Sequence, residues 1–200
     1  MAGTVTRTHS ERLDEADVIY DRLVSVDEYL RIEEVSPLRH EYVSGVLYAM
    51  TGGTKRHSAI VGNLYVAVRP EARKRDCDIF PGDVKVQISA DRIYYPDLIV
   101  ACDPDDRDPL ISRSPCLVVE ILSPSTESID RREKASAYRT LESIRSYLIV
   151  YQDEVRVEHY YRDDNDAWNL EFVTEGAVAL RCPPMDLRLD DIYDRLPSPD

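Results

Sequence analysis

Two carboxylates stand in this chain where carboxylates are expensive. Asp97 follows Tyr95-Pro96 and heads the apolar run Leu98-Ile99-Val100, where a strand starts or bends after a proline. Glu120 is the single charged residue of Cys116-Leu117-Val118-Val119-Glu120-Ile121-Leu122, which reads as a central strand buried on both faces. A carboxylate in that position has to be paired or to hold a metal. Projected from adjacent strands to one point, the two form a hard-oxygen site suited to Mg2+ or Mn2+, ions that keep several waters and also take phosphate oxygens. Such an ion generates hydroxide from water and offsets charge in a phosphoryl transition state. Lys134, in the helix that follows, is the cation that would lower the cost of that charge further. Together these are the parts of a metal-dependent phosphodiesterase. The structural alternatives are a turn-capping role for Asp97 and an ion pair with an arginine for Glu120.

The elements that must position these groups follow from periodicity. Ser25-Val26-Asp27-Glu28-Tyr29-Leu30 reads as a short helix with Ser25 as N-cap and Glu28 three residues on. From Glu41 to Met50 the apolar residues flank Ser44-Gly45, a strand pair joined by a tight turn. A helix is expected from about His57 to Arg75, with Ile60, Val61, Leu64, Tyr65 and Val68 at helical spacing and Pro70 as a kink or break. Strands are expected at Val84–Ile88, Ile93–Val100 and Cys116–Leu122, then a second helix over Ser128–Glu142. Tyr147–Tyr151 adds a strand, and Val155–Tyr161 with Trp168–Val173 an antiparallel continuation. A helix between strands makes this a mixed sheet flanked by helices, α/β or α+β, with an added antiparallel C-terminal sheet. Residues 1–24 read as a polar tail and 25–196 as a single domain.

Composition bounds the partners. The chain has 200 residues, 43% hydrophobic and 32% charged, with mean hydropathy −0.40. This is too apolar for disorder and too polar for a membrane protein. A net charge of −13 opposes a broad nucleic-acid face, so any such role must rest on bound cations or a local patch. Arg69, Arg73, Lys74 and Arg75 read first as a solvated helix face and only second as that patch. Cys77, Cys102, Cys116 and Cys182 contain no Cys-x-x-Cys pair, which gives neither a zinc framework nor a redox pair. They read as small core or surface residues, and with no apolar leader segment the expected compartment is the cytoplasm.

Tyr95-Pro96-Asp97, then Leu117-Val118-Val119-Glu120-Ile121-Leu122-Ser123-Pro124-Ser125-Thr126, then Asp130, Lys134 and Tyr138, resemble the signature of the Uma-two family of endonucleases. That bacterial group lies within the PD-(D/E)XK restriction-endonuclease-like superfamily, and the resemblance runs from about His40 to Tyr193. Glu41-Tyr42-Val43-Ser44-Gly45 and His57 match a Glu-containing segment and a His at the start of the first long helix. The resemblance implies a restriction-endonuclease-like core, divalent metal at Asp97 and Glu120 with support from Glu41, and cleavage of DNA. The lysine expected two positions after Glu120 is replaced by Leu122. Lys134 is the natural substitute and Lys85 the other candidate. His57 is either a helix-terminal residue bonded to backbone or a holder of water. Ser123, Ser125 and Thr126 cap the following helix or orient water on the metal. A homodimer paired along the edge from Val155 to Val173 is the expected assembly. The other reading is a nuclease-fold interaction protein without catalysis.

Overall fold

A computed structural model describes residues 22–50, 52–122 and 130–198, the side chains of 130 and 131 excepted. Helix α1 (Val26–Val35) is capped by Ser25, whose Oγ accepts from the Glu28 amide. A hairpin follows, β1 (His40–Val43) and β2 (Val46–Ala49), then α2 (Lys55–Arg73), β3 (Asp78–Pro81), β4 (Lys85–Ser89), β5 (Arg92–Tyr94), β6 (Leu98–Ala101), β7 (Ile111–Ser112) and β8 (Pro115–Leu122). A π-helical turn (Asp130–Lys134) runs into α3 (Ala135–Tyr138), and the chain continues as β9 (Ser146–Tyr151), β10 (Val157–Arg162), β11 (Trp168–Val173), β12 (Ala177–Arg181), β13 (Pro184–Arg188) and α4 (Leu189–Ile192).

The strands form a five-stranded sheet ordered β2-β1-β5-β4-β7, a six-stranded sheet ordered β11-β10-β9-β8-β6-β3 and the separate hairpin β12-β13. Both larger sheets are mixed: β8 runs parallel to β9 and β4 parallel to β7, with the other pairings antiparallel. The class is α+β. Strand β8 is buried at all eight positions and lies between β6 and β9, as its apolar run requires.

Alternation along β8 divides two cores. Leu117, Val119 and Ile121 pack with Ile60, Leu64, Val68 and Ala72, the apolar stripe of α2. Val118 and Leu122 face the other way, toward Tyr94, Tyr138, Tyr147 and Ile149. Glu120 shares their parity and so belongs to the tyrosine-rich side. Pro70 leaves α2 unbroken. It withholds one amide from the carbonyl of Val66, a residue on the solvent face, where water can satisfy that oxygen.

Three sequence expectations change. Ile93–Val100 is two strands in two different sheets, because Tyr95-Pro96-Asp97 carries the chain from one to the other. The second helix ends at Tyr138, four residues short of Glu142. There the Thr140 amide and hydroxyl both turn back on the Ala137 carbonyl, the local competition typical of threonine. The cysteines are paired as Cys77–Cys102 and Cys116–Cys182, where the sequence suggested isolated thiols. Strands β3, β7, β12 and β13 had no sequence counterpart; they are short or weakly apolar. Among the described residues no helix is long and apolar enough to cross a membrane.

Candidate active site

The antiparallel register Leu98↔Val119 sets Asp97 opposite Glu120 at the end of β6. Asp97 Oδ2 accepts the amide of Ile121 at 2.7 Å, which ties the carboxylate to the strand bearing Glu120. Its Oδ1 lies 3.0 Å from His57 Nε2. His57 occupies the first turn of α2, where its amide bonds to the Thr54 Oγ1 cap at 3.0 Å. The approach of the ring depends on Gly53: a Cβ there would fall 2.9 Å from the imidazole Cδ2. The side chains of Asp97 and His57 keep 19% and 18% of their surface open, so this end of the site is reachable.

Glu120 lies deeper, and Lys134 and Tyr138 both reach it. The Lys134 ammonium is 3.1 Å from Glu120 Oε1 and the Tyr138 hydroxyl donates to the same oxygen at 2.8 Å. The two donors are four residues apart, so a helical turn presents them on one face. The π-helical turn immediately before α3 ends on Lys134, and such turns recur where a side chain must be re-aimed. Burial and the Glu120 charge push the Tyr138 phenol well above its ordinary range, so it remains a donor.

Glu41 enters from β1. Its Oε1 lies 2.7 Å from the Lys134 ammonium and accepts the Tyr95 amide at 3.4 Å. Lys134 therefore stands between two carboxylates, with only 6% of its side chain exposed. A second layer holds β1 and Tyr95 in place. Tyr95 donates to Glu33 Oε2, and His40 Nδ1 meets Glu33 Oε1, each at 2.6 Å. The Tyr29 hydroxyl donates to the His40 carbonyl at 2.8 Å.

The structure thus brings Asp97, Glu120, Glu41, Lys134 and His57 together. Lys85 does not join them; its ammonium sits 5.4 Å from the centre of the Tyr95 ring, and burial pulls its pKa down. Ser123, Ser125 and Thr126 lie outside the described residues. Sequence reasoning missed the Tyr95, Glu33 and His40 layer. Its signal was present in α1, where Tyr29 and Glu33 share a helical face and are both buried. In the basic stretch at the end of α2, Lys74 and Arg75 share the single carboxylate of Glu71 and Arg69 bonds the Tyr65 hydroxyl.

The donor set suits a hard divalent ion. Asp97 and Glu120 could supply the one or two carboxylates that Mg2+ takes beside waters and phosphate oxygens. Glu41 does not close a three-carboxylate cage: among the described residues, the one group of three or more ligating side chains with atoms within 4.8 Å of one another is made of cysteines. Glu41 Oε1 faces the Lys134 ammonium.

Comparison with known proteins now decides the family. Residues 26–190 match the profile of Uma2, described as "Putative restriction endonuclease". The chain belongs to the Uma2 family. It is 37% identical over 173 residues to the uncharacterized protein slr1290 of Synechocystis sp., covering 85% of this chain and 91% of that one. A second Synechocystis protein, sll1609, also uncharacterized, is 30% identical over 161 residues, with 78% and 91% covered. The fold matches a crystal structure described as a "putative nuclease belonging to DUF820" from Anabaena variabilis, with TM-score 0.70, 18% identity, and 85% and 97% of the two chains covered. This Uma2 chain therefore has a restriction-endonuclease-like nuclease fold.

Proposed function

We propose that this Uma2 protein is a Mg2+- or Mn2+-dependent endonuclease that hydrolyses phosphodiester bonds of DNA. The observation that carries the reading is the Lys134 ammonium 3.1 Å from Glu120 Oε1, with Asp97 across the neighbouring strand. Lys134 would thereby stand in for the lysine missing at Leu122.

Asp97 and Glu120 would hold the divalent ion, which when bound supplies Lewis acidity at the phosphoryl group and lowers the pKa of water. His57 fixes one oxygen of Asp97, and the Ile121 amide fixes the other. Tyr138 fixes Glu120 Oε1. Lys134, held by Glu41, would offer a positive charge beside the metal-holding carboxylates to the negative charge gathering on the phosphate, without reorganisation at the moment of reaction. Residues 25–196 act as one domain in this reading. A DNA substrate implies the compartment that holds DNA, the cytoplasm of a bacterium. Strand β11 is one of the two edges of the six-stranded sheet and exposes Leu170 and Phe172, the place where a second copy would pair.

Calorimetry with Mn2+ tests the ligand assignment. Wild type is expected to bind the ion, and Asp97→Asn and Glu120→Gln to bind it at least about tenfold more weakly, in line with losing one ligand of a small set. Equal affinity in all three proteins would make the carboxylates structural and the nuclease assignment wrong.

A further inference from the structure

The four cysteines of the chain lie at one end of the sheet because of strand register: the sulfurs of Cys102, Cys116 and Cys182 are within 4.8 Å of one another, and Cys77 is bonded to Cys102. Cys77 precedes β3 and Cys102 follows β6, and the pairing Asp78↔Ala101 brings the two side by side. The pairing Ala101↔Pro115 then sets Cys116 next to them on β8. Cys182 lies in the tip of the β12-β13 hairpin, between Arg181 and Pro184, which are themselves paired. Three adjacent strand ends and one hairpin tip therefore deliver four sulfurs, at sequence separations that no cysteine motif would reveal.

The sulfurs are close between pairs as well as within them. Cys102 Sγ lies 3.5 Å from Cys116 Sγ and 3.6 Å from Cys182 Sγ. In a tetrahedral Zn2+ site with Zn–S of about 2.3 Å, neighbouring sulfurs are about 3.8 Å apart. Two edges of that tetrahedron are thus nearly formed across the two disulfides. Among the described residues the group is Cys102, Cys116 and Cys182, with no carboxylate or imidazole in it, and Cys77 would supply the fourth sulfur once its bond to Cys102 opens. An all-thiolate donor set selects a soft or borderline ion, and sulfurs this close leave room for one ion and not for a multi-iron core.

We propose that these four cysteines form a second metal site, an all-thiolate site that binds one Zn2+ ion when its thiols are reduced. The two disulfides of the structure are the oxidised state of the same site. Each disulfide is opened by one dithiol, which leaves as its own cyclic disulfide, or by one phosphine, which takes its oxygen from one water. The dithiol supplies two electrons and two protons per bond, whereas the phosphine supplies two electrons and the water both protons, giving four thiols in all. Zn2+ then replaces four thiol protons, so its binding tightens as pH rises. The half-buried Cys102 and Cys182 give reductant and ion a way in, while Cys77 and Cys116 are buried. The ion would staple the C-terminal hairpin to the end of the central sheet, on the side of α2 away from the tyrosine-rich core. This proposal does not depend on the function assigned to Asp97 and Glu120.

The test uses the full chain, reduced with a water-soluble phosphine, loaded with Zn2+, desalted and analysed for zinc per chain. Asp97→Asn/Glu120→Gln, which removes the other proposed divalent site, is expected to retain about one zinc per chain, and adding Cys116→Ser/Cys182→Ser to it to cost at least about tenfold. Cobalt bound to reduced wild type should show sulfur-to-cobalt charge transfer and the strong d–d bands of a tetrahedral thiolate site. That readout stands even if the serine variant fails to fold. The proposal is overturned by a reduced wild type that retains less than about a tenth of a zinc per chain. It is equally overturned if Asp97→Asn/Glu120→Gln retains no zinc, or by a cobalt spectrum without thiolate charge transfer.

Discussion

Lys134→Met is the most informative single change to the candidate active site. In the folded protein the ammonium is 2.7 Å from Glu41 and 3.1 Å from Glu120, whose side chains are 14% and 5% exposed. At an effective dielectric of about 20 each contact carries a gross attraction of about 5–6 kcal/mol, most of which offsets desolvation of the three charges. Removing one partner of such a buried group leaves the others uncompensated and costs about 3–5 kcal/mol. For a domain of this size that lowers the melting temperature by about 6–20 °C. The loss should be largest without divalent ions. An ion on Glu120 supplies part of the missing positive charge, and at 100 times its Kd it restores about 2.7 kcal/mol. The triple variant Glu41→Gln/Glu120→Gln/Lys134→Met should melt near wild type, because no buried charge is stranded. Thermal melts of wild type, Lys134→Met and the triple variant, with and without Mn2+, check this. A metal-free Lys134→Met protein melting within about 2 °C of wild type would refute the buried pairing.

Three other outcomes follow from the same geometry. Burial lifts the phenols of Tyr29, Tyr94, Tyr95 and Tyr138 above their ordinary range, with Glu33, Glu133 or Glu120 adding to the rise. Their folded pKa values exceed the unfolded value near 10, so the stability they confer is complete below about pH 10 and is lost above it, at about 1.4 kcal/mol per pH unit for each residue. Alkaline titration should give cooperative unfolding with simultaneous phenolate absorbance, and gradual ionisation of all thirteen tyrosines without unfolding would contradict it. Gly53→Ala should push the His57 ring off Asp97 and reduce DNA nicking to the level of His57→Ala; a Gly53→Ala enzyme as active as wild type beside an impaired His57→Ala would refute that packing. Phe172→Glu on the β11 edge should convert a dimer to a monomer in light scattering, and an unchanged mass would remove that edge as the interface.

What could be read from sequence was what depends on local pattern. The run from Cys116 to Leu122 announced a buried strand, and the acid inside it announced a site, because one buried charge among six apolar neighbours has few physical excuses. The helix cap at Ser25, the hairpin at Ser44-Gly45 and the stripe of α2 were legible for the same reason. What failed depends on long-range pairing. Nothing near Glu41 reveals that it will meet Lys134, since that contact is made only when the five-stranded sheet packs over α3. Ile93–Val100 looked like one strand because apolarity cannot show a change of sheet. The cysteines looked scattered because register in β3, β6 and β8, together with a hairpin the pattern did not mark, sets their convergence. Lys134 was the first candidate and Lys85 the second, and the fold sets one between two carboxylates and the other over a tyrosine ring.

The most direct test of the central claim is nicking of supercoiled plasmid in Mn2+ by wild type, Asp97→Asn, Glu120→Gln and Lys134→Ala. A metal-dependent nuclease at this site predicts relaxed and linear DNA from wild type, none when the ion is chelated, and losses of at least about a hundredfold in all three variants. Intact plasmid with wild type under every ion, or cleavage that survives in the Asp97 and Glu120 variants, would contradict it.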